Sequence, residues 1–200
     1  MWTGLVFAGG LGLRMGRDKA LLELGGTTLL RRAVNVVRAA GGEPMVLGPP
    51  RPEAETDGAR QIDETGGQGG PGGPLAALEC GLRAAAPSAQ VVALACDLPC
   101  VTAGFLRQLV RSTPGWDAVV PRAADELQVL AAAYNATCLE AIVRARRRGE
   151  RGLLGFLKEV RMRILEAEGL VQWGGAALFL NVNTPEDLER ARALCLAERR

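Results

Sequence analysis

Apolar runs bounded by turn residues alternate along this chain with stretches at helical spacing, and that alternation predicts most of its architecture. Residues 5–8 predict a buried strand that runs into a glycine-rich loop. Over 28–40, Leu29, Leu30, Ala33, Val36 and Val37 share one face, and the pattern stops at Gly41 and Gly42, as a helix with a glycine end does. Residues 44–47 predict a second short strand. From 48 to 73 the chain is rich in proline, glycine and charge, and the glycine run over 66–73 predicts no regular element. Pro74 suits the first turn of a helix continuing over 75–86. Residues 91–95 form the clearest buried strand and deliver Cys96, Asp97, Leu98 and Pro99 at its carboxyl end. Thr102 caps a helix through Val110, 118–121 predicts a strand, 127–134 an extended stretch and 139–148 a helix. Thr184, Pro185, Glu186 and Asp187 supply the cap, first-turn proline and early acids of a last helix running to the chain's end. Strand–helix alternation at this spacing predicts one α/β domain over 1–200, with a mostly parallel, doubly wound sheet. Ligands of such sheets bind outside the carboxyl ends of the strands, where both the first loop and Asp97 fall.

Composition narrows the chemistry. An apolar fraction of 48% and a charged fraction of 23% are those of a folded globular chain. Twenty-four basic residues face 22 acidic ones, which gives no polyanion signal, so no nucleic-acid partner is expected. The cluster Arg146, Arg147 and Arg148 is flanked by Glu140 and Glu150 and reads as a solvated helix end whose cations favour the C-terminal dipole. No membrane span or signal peptide is visible, and the cytoplasm is expected. Five cysteines without a CxxC pair (Cys80, Cys96, Cys100, Cys138, Cys195) predict buried or idle thiols rather than disulfides or zinc. The chain has no histidine, which removes Ser-His-Asp and Cys-His schemes and most catalytic zinc sites. Chemistry must then run on carboxylates, lysine, arginine and a borrowed metal ion.

The loop after the first strand reads Phe7, Ala8, Gly9, Gly10, Leu11, Gly12, Leu13, Arg14, Met15, Gly16, Arg17, Asp18, Lys19. Its glycines let backbone N–H groups approach an anion closely. Arg14 can grip phosphate with two parallel hydrogen bonds, and Lys19 supplies a compact point charge. The Walker pattern fails, because Gly16 is followed by Arg17 and Lys19 by Ala20. The dinucleotide fingerprint fails too: its third glycine would be Met15, and Leu47 and Gly48 stand where an acid should hold a ribose. A plain strand–helix turn would explain the glycines but not the Arg and Lys among them.

These residues resemble the LAGGxSxRMGxDKxLL signature of the molybdenum cofactor guanylyltransferase (MobA) family, matched from Phe7 to Leu22. Three further blocks follow in the family's order: Gly73-Pro74-Leu75-Ala76, Cys96-Asp97-Leu98-Pro99, and 181–188, beginning Asn181-Val182-Asn183. The resemblance implies a Rossmann-like, three-layer αβα nucleotidyltransferase with a mostly parallel sheet. It implies transfer of GMP from GTP to the phosphate of molybdenum-bearing molybdopterin, with release of pyrophosphate. It also implies transient contact with cofactor-delivering proteins or molybdoenzymes. Phe7, Ala8, Gly9, Gly10, Lys19, Gly73, Pro74 and Leu75 would line the nucleotide, with Asp63 as its acid and Glu64 as a rival. Asp97 would hold Mg²⁺, Arg14 and Lys19 would neutralise phosphate charge, and Asn181 and Asn183 would face the pterin. Read without the family, Asp97 is equally a cap on the turn before Pro99, and Thr184 is first a helix cap.

The attacking group in such a reaction is a phosphate, already anionic near neutral pH, so a chain without histidine can run it by orientation and charge neutralisation. Departures from the family pattern bear on base and pterin choice: Leu11, Gly12 and Leu13 replace polar or basic residues, and Val129 replaces a proline after Gln128. A CTP-using relative resembles LAAG rather than the Ala8-Gly9-Gly10 found here, which favours guanine. A catalytically idle nucleotide-binding protein is the other alternative.

Overall fold

A computed structural model describes residues 1–9, 18–63, 73–86 and 90–197. Eight strands, β1 (Thr3–Phe7), β2 (Glu43–Leu47), β3 (Arg60–Ile62), β4 (Gln90–Ala95), β5 (Ala118–Ala123), β6 (Glu126–Leu127), β7 (Ala131–Asn135) and β8 (Met162–Glu166), join in one sheet. Its order is β3-β2-β1-β4-β7-β5-β6, with β8 also pairing β5. The pairs β3–β2, β2–β1, β1–β4 and β5–β8 are parallel, whereas β7 is antiparallel to both β4 and β5. The helices are α1 (Leu29–Ala39), α2 (Glu53–Thr56), α3 (Gly73–Ala84), α4 (Ala103–Arg111), α5 (Cys138–Arg147) and α6 (Pro185–Ala197).

Successive side chains of a strand point to opposite faces, and the apolar runs use both. Val6, Val46, Val92 and Leu94 go to one face, beneath Leu30, Val34 and Val37 of α1 and Phe105, Leu106 and Leu109 of α4. Leu5, Phe7, Met45, Leu47, Val91 and Ala93 go to the other, beneath Leu75, Leu78 and Leu82 of α3 and Ala141, Ile142 and Ala145 of α5. The result is the Rossmann-like three-layer sandwich. Burying one such Leu or Phe contributes about 1.5–3 kcal/mol relative to leaving it in water. The helix starts at Thr28 and Thr102 are capped as their sequences require: each side chain accepts from the backbone N–H three residues on, that of Arg31 at 3.3 Å and of Phe105 at 3.2 Å. Close approach of α1 to β1 needs Gly4, where a Cβ would lie 2.4 Å from Val37. A third, small cluster of Leu24, Leu29, Val182 and Ala191 seats α6 against the residues that follow the first loop.

Several segments depart from the expected pattern. The stretch from 48 holds α2 and the edge strand β3 before its glycine run. The extended stretch at 127–134 is two strands: a turn intervenes, in which Ala131 N–H donates to Gln128 O at 3.0 Å. β8 and three 3-10 segments (Phe156–Glu159, Ala167–Trp173, Gly175–Phe179) fill the region ahead of Asn181. The expectation of unpaired cysteines is corrected: Cys100 and Cys195 form a disulfide, with Cα atoms 5.5 Å apart across a sequence separation of 95. The fold, not local spacing, brings the two together, so no short motif announces the bond. The arginine cluster at the end of α5 is spent within the chain, Arg146 on Glu79 at 2.6 Å and Arg148 on Glu150 at 2.9 Å. No helix among the described residues is long and apolar enough to cross a membrane.

Candidate active site

From β1 the chain winds outward through β2 and β3, then returns to β4 on the opposite side of β1. The connections leaving β1 and β4 therefore part from each other at their carboxyl ends, which opens a crevice there. Backbone hydrogen bonds pin its floor. Ala8 N–H donates to Leu47 O at 2.8 Å, Cys96 N–H to Phe7 O at 3.1 Å, and Ala95 N–H to Leu130 O at 2.8 Å. Asp97 follows at once, and its carbonyl accepts from Val182 N–H at 2.9 Å, which docks the C-terminal segment beside it.

Three side chains distant in sequence converge over this floor. The Lys19 ammonium lies 3.7 Å from an Asp97 carboxylate oxygen, and it donates a hydrogen bond to Asn183 Oδ1. The Lys19 and Asp97 side chains are 20% and 21% exposed, so the pair is sheltered yet open to a ligand. Burial pushes the Asp97 carboxyl above its usual range, and Lys19 opposes the shift only in part. An ionised Asp97 is thus short of positive charge, the condition that a cation relieves. One such carboxylate, completed by phosphate oxygens and water, is a donor set of the kind Mg²⁺ takes. Among the described residues no group of three or more His, Cys, Asp or Glu side chains could hold a metal by themselves. The neighbouring Cys96 thiol is pushed up to about 12 by burial and by Asp97, so it is no nucleophile at neutral pH.

Local sequence explains how each group is held. Asp18 caps the 3-10 turn Lys19–Leu21 by accepting from Ala20 N–H at 3.1 Å, with Ala20 buried below. Asn183 leads into a reciprocal cap: Asp187 accepts from the N–H groups of Asn183 and Thr184, each at 3.0 Å, and its own N–H donates to Thr184 Oγ1 at 3.2 Å. Those bonds, the one from Asn183 first, hold the Asp187 carboxyl below its usual range once they outweigh its desolvation.

The other sequence-read residues fall as follows. Phe7 and Ala8 are buried at the end of β1, and Gly9 is exposed beside them. Asp63 is exposed directly after β3, on the same sheet edge. Gly73 and Pro74 are exposed at the start of α3, whereas the Leu75 side chain is fully buried in the core. Leu75 N–H donates to Arg151 O at 3.0 Å, so one donor of that helix start is already taken by the protein. Asn181 is exposed two residues before Asn183, with buried Val182 between them. Gly10, Arg14 and Glu64 lie outside the described residues. Sequence reasoning missed Arg51, whose side chain is 10% exposed and ion-paired with Asp18. A lone arginine in a proline-rich stretch carries no local signal of such a role.

This arrangement neutralises anionic oxygens and offers no neutral-pH base. Relatives agree with that chemistry. The MobA-like NTP transferase domain matches residues 4–164. A protein of Pelotomaculum thermopropionicum named probable molybdenum cofactor guanylyltransferase is 33% identical over 193 residues, which cover 96% of this chain and 92% of that one. One of the same name from Opitutus terrae is 36% identical, covering 95% and 94%. The crystal structure of molybdopterin-guanine dinucleotide biosynthesis protein A from Archaeoglobus fulgidus superposes with a TM-score of 0.80 at 26% identity, covering 98% of this chain and 99% of that one. By the span of the domain match and the identity to these relatives, the chain belongs to the MobA-like NTP transferase family.

Proposed function

We propose that this chain is a molybdenum cofactor guanylyltransferase, which transfers GMP from GTP to the terminal phosphate of molybdenum-bearing molybdopterin. The convergence of Lys19, Asp97 and Asn183 at the switch point of the sheet carries the reading. A phosphate oxygen of the pterin attacks the α-phosphorus of GTP, the bond to the β-phosphate oxygen breaks, and pyrophosphate leaves. The attacking oxygen is already ionised, so no residue need take its proton.

Phe7, Ala8, Gly9 and Gly10 line the nucleotide, with Asp63 and the start of α3 at Gly73, Pro74 and Leu75 closing its other side. Lys19 and Arg14 balance triphosphate charge, and Asn181 and Asn183 face the pterin. Asp97 would hold Mg²⁺, which when bound supplies positive charge to the phosphate oxygens. Charged donors fixed in a sheltered crevice are worth more than in water, because they need no reorganisation as charge shifts towards the leaving group. One domain over 1–200, working in the cytoplasm with transient docking to cofactor-delivering proteins or molybdoenzymes, completes the proposal.

The test is pyrophosphate release by purified protein given Mg²⁺, molybdenum-bearing molybdopterin and either GTP or CTP. Release with GTP and little with CTP is expected. Equal turnover with CTP would defeat the guanine assignment, and none with either would leave an idle nucleotide binder.

A further inference from the structure

We propose that Arg51 is a positioning residue for the nucleotide, a clasp that ties together the two ends of the glycine-rich loop; the substrate side of this inference rests on the function proposed above. One arm of the guanidinium donates to Ala8 O at 3.2 Å, where the chain leaves β1. The other pairs with the carboxylate of Asp18, where the chain re-enters regular structure ahead of Lys19. Ala8 and Asp18 bracket the segment between, so a single planar side chain with donors in a rigid fork fixes the distance across it.

Arg51 is itself held rigidly. Its N–H donates to Gln61 Oε1 at 2.7 Å, and Gln61 Nε2 donates back to Arg51 O at 3.0 Å. That two-way bond anchors the Arg51 backbone to β3. On the way from β2, Gly48 passes so close to the loop base that a Cβ there would lie 2.8 Å from Gly9 N and 2.9 Å from Ala8 C. The chain is thus pressed against Ala8 and Gly9 from β2 and fastened from β3, with the guanidinium reaching inward between them. At 10% exposure the side chain is shielded from water, so its pair with Asp18 is neither screened nor readily exchanged.

The pairing has a consequence for Lys19. Asp18 is the carboxylate nearest to Lys19 in sequence and would compete for its ammonium. With Asp18 engaged by Arg51 and by Ala20 N–H, Lys19 is left to Asp97 and Asn183, the groups that a triphosphate would displace or share.

The experiment measures KM for nucleotide and acceptor, kcat and thermal stability for wild type, Arg51→Ala, Arg51→Lys, Asp18→Asn and the double variant Arg51→Ala/Asp18→Asn. Arg51→Ala should raise the nucleotide KM at least tenfold, with kcat within about threefold and the pterin KM unchanged. Arg51→Lys keeps the charge but not the fork, so it should recover part of the loss. The double variant should be no worse than the poorer single variant, because the two residues act as one unit. An unchanged nucleotide KM in Arg51→Ala would overturn the proposal. So would single-variant effects that multiply, or a loss in which both KM values and kcat fall together with thermal stability. If Arg51→Ala does not fold, the same nucleotide-specific KM shift is read from Arg51→Lys. Each ratio is taken with whichever nucleoside triphosphate the wild type uses, so a preference for CTP would defeat the guanine reading and leave the Arg51 comparison intact.

Discussion

Replacing Cys100 and Cys195 together by serine should cost this protein several kcal/mol of stability. The disulfide joins the loop three residues after Asp97 to α6, across a sequence separation of 95. In the chain-entropy description, closing a loop of that length removes about 4.7 kcal/mol of freedom from the unfolded state at 25 °C. The measured loss should fall between about 2 and 4.7 kcal/mol, because unfolded chains keep some residual compactness. The ends also hold by other means when the bond is gone, through Val182 N–H on Asp97 O at 2.9 Å and the small cluster of Leu24, Leu29, Val182 and Ala191. With a urea m-value of about 2 kcal/mol/M, the unfolding midpoint should move down by roughly 1–2 M. The assay is urea denaturation of wild type and of the double serine variant, each with and without reductant. A thiol titration of unfolded wild type should count three thiols before reduction, from Cys80, Cys96 and Cys138, and five after. Reductant should shift the wild-type midpoint and leave the variant's unmoved. Five thiols before reduction, or midpoints that coincide with the bond intact and broken, would refute the reasoning.

Three further outcomes are expected. Asp97→Ala should lower turnover by about 10²–10³-fold or more while circular dichroism stays native, and retained turnover would remove Asp97 from the reaction. Asp117, its carboxyl pulled down to about 2 chiefly by hydrogen bonds from Arg161, stabilises the fold in its ionised form. That contribution is complete above the unfolded value near 3.9 and is lost as pH falls towards 2, so wild type should lose its advantage over Asp117→Asn across that window in acid denaturation. Gly48→Ala should cost about 1–3 kcal/mol in thermal melting, because φ there is +143° and the added Cβ meets the Ala8–Gly9 backbone.

Much of the sandwich was legible because its central strands are buried on both faces. The runs ending at Phe7, Leu47 and Ala95 are near-continuously apolar, and the helices between them carry one-sided stripes with ordinary caps. β3 was not legible, since an edge strand reading Arg60, Gln61, Ile62 has little face to bury and shows no pattern. β8 escaped for a similar reason, with Arg163 and Glu166 exposed in a strand that only partly faces the core. In the site, Lys19 and Asp97 announced themselves through strand-end position and motif, yet either could have been a local cap. Their meeting with Asn183 depends on the docking of Val182 beneath Asp97, which no local spacing encodes. Arg51 and the Cys100–Cys195 bond are of the same kind, each a contact between segments that only the folded sheet brings within reach.

The reversed strand β7 bears on how such a fold acquires a second substrate. In a wholly parallel sheet only the exits of strands face the ligand edge, and those exits also fasten the crossover helices. β7 runs the other way between β4 and β5, so its entrance, the turn of Gln128, Val129 and Leu130, arrives at the rim where β1 and β4 leave it. That turn answers only to a short hairpin-like connection from β6, and it can be redrawn without disturbing any helix that grips the nucleotide side. The sheet therefore divides its rim into two inheritances, one conserved by architecture for the phosphate donor and one free to vary with the acceptor.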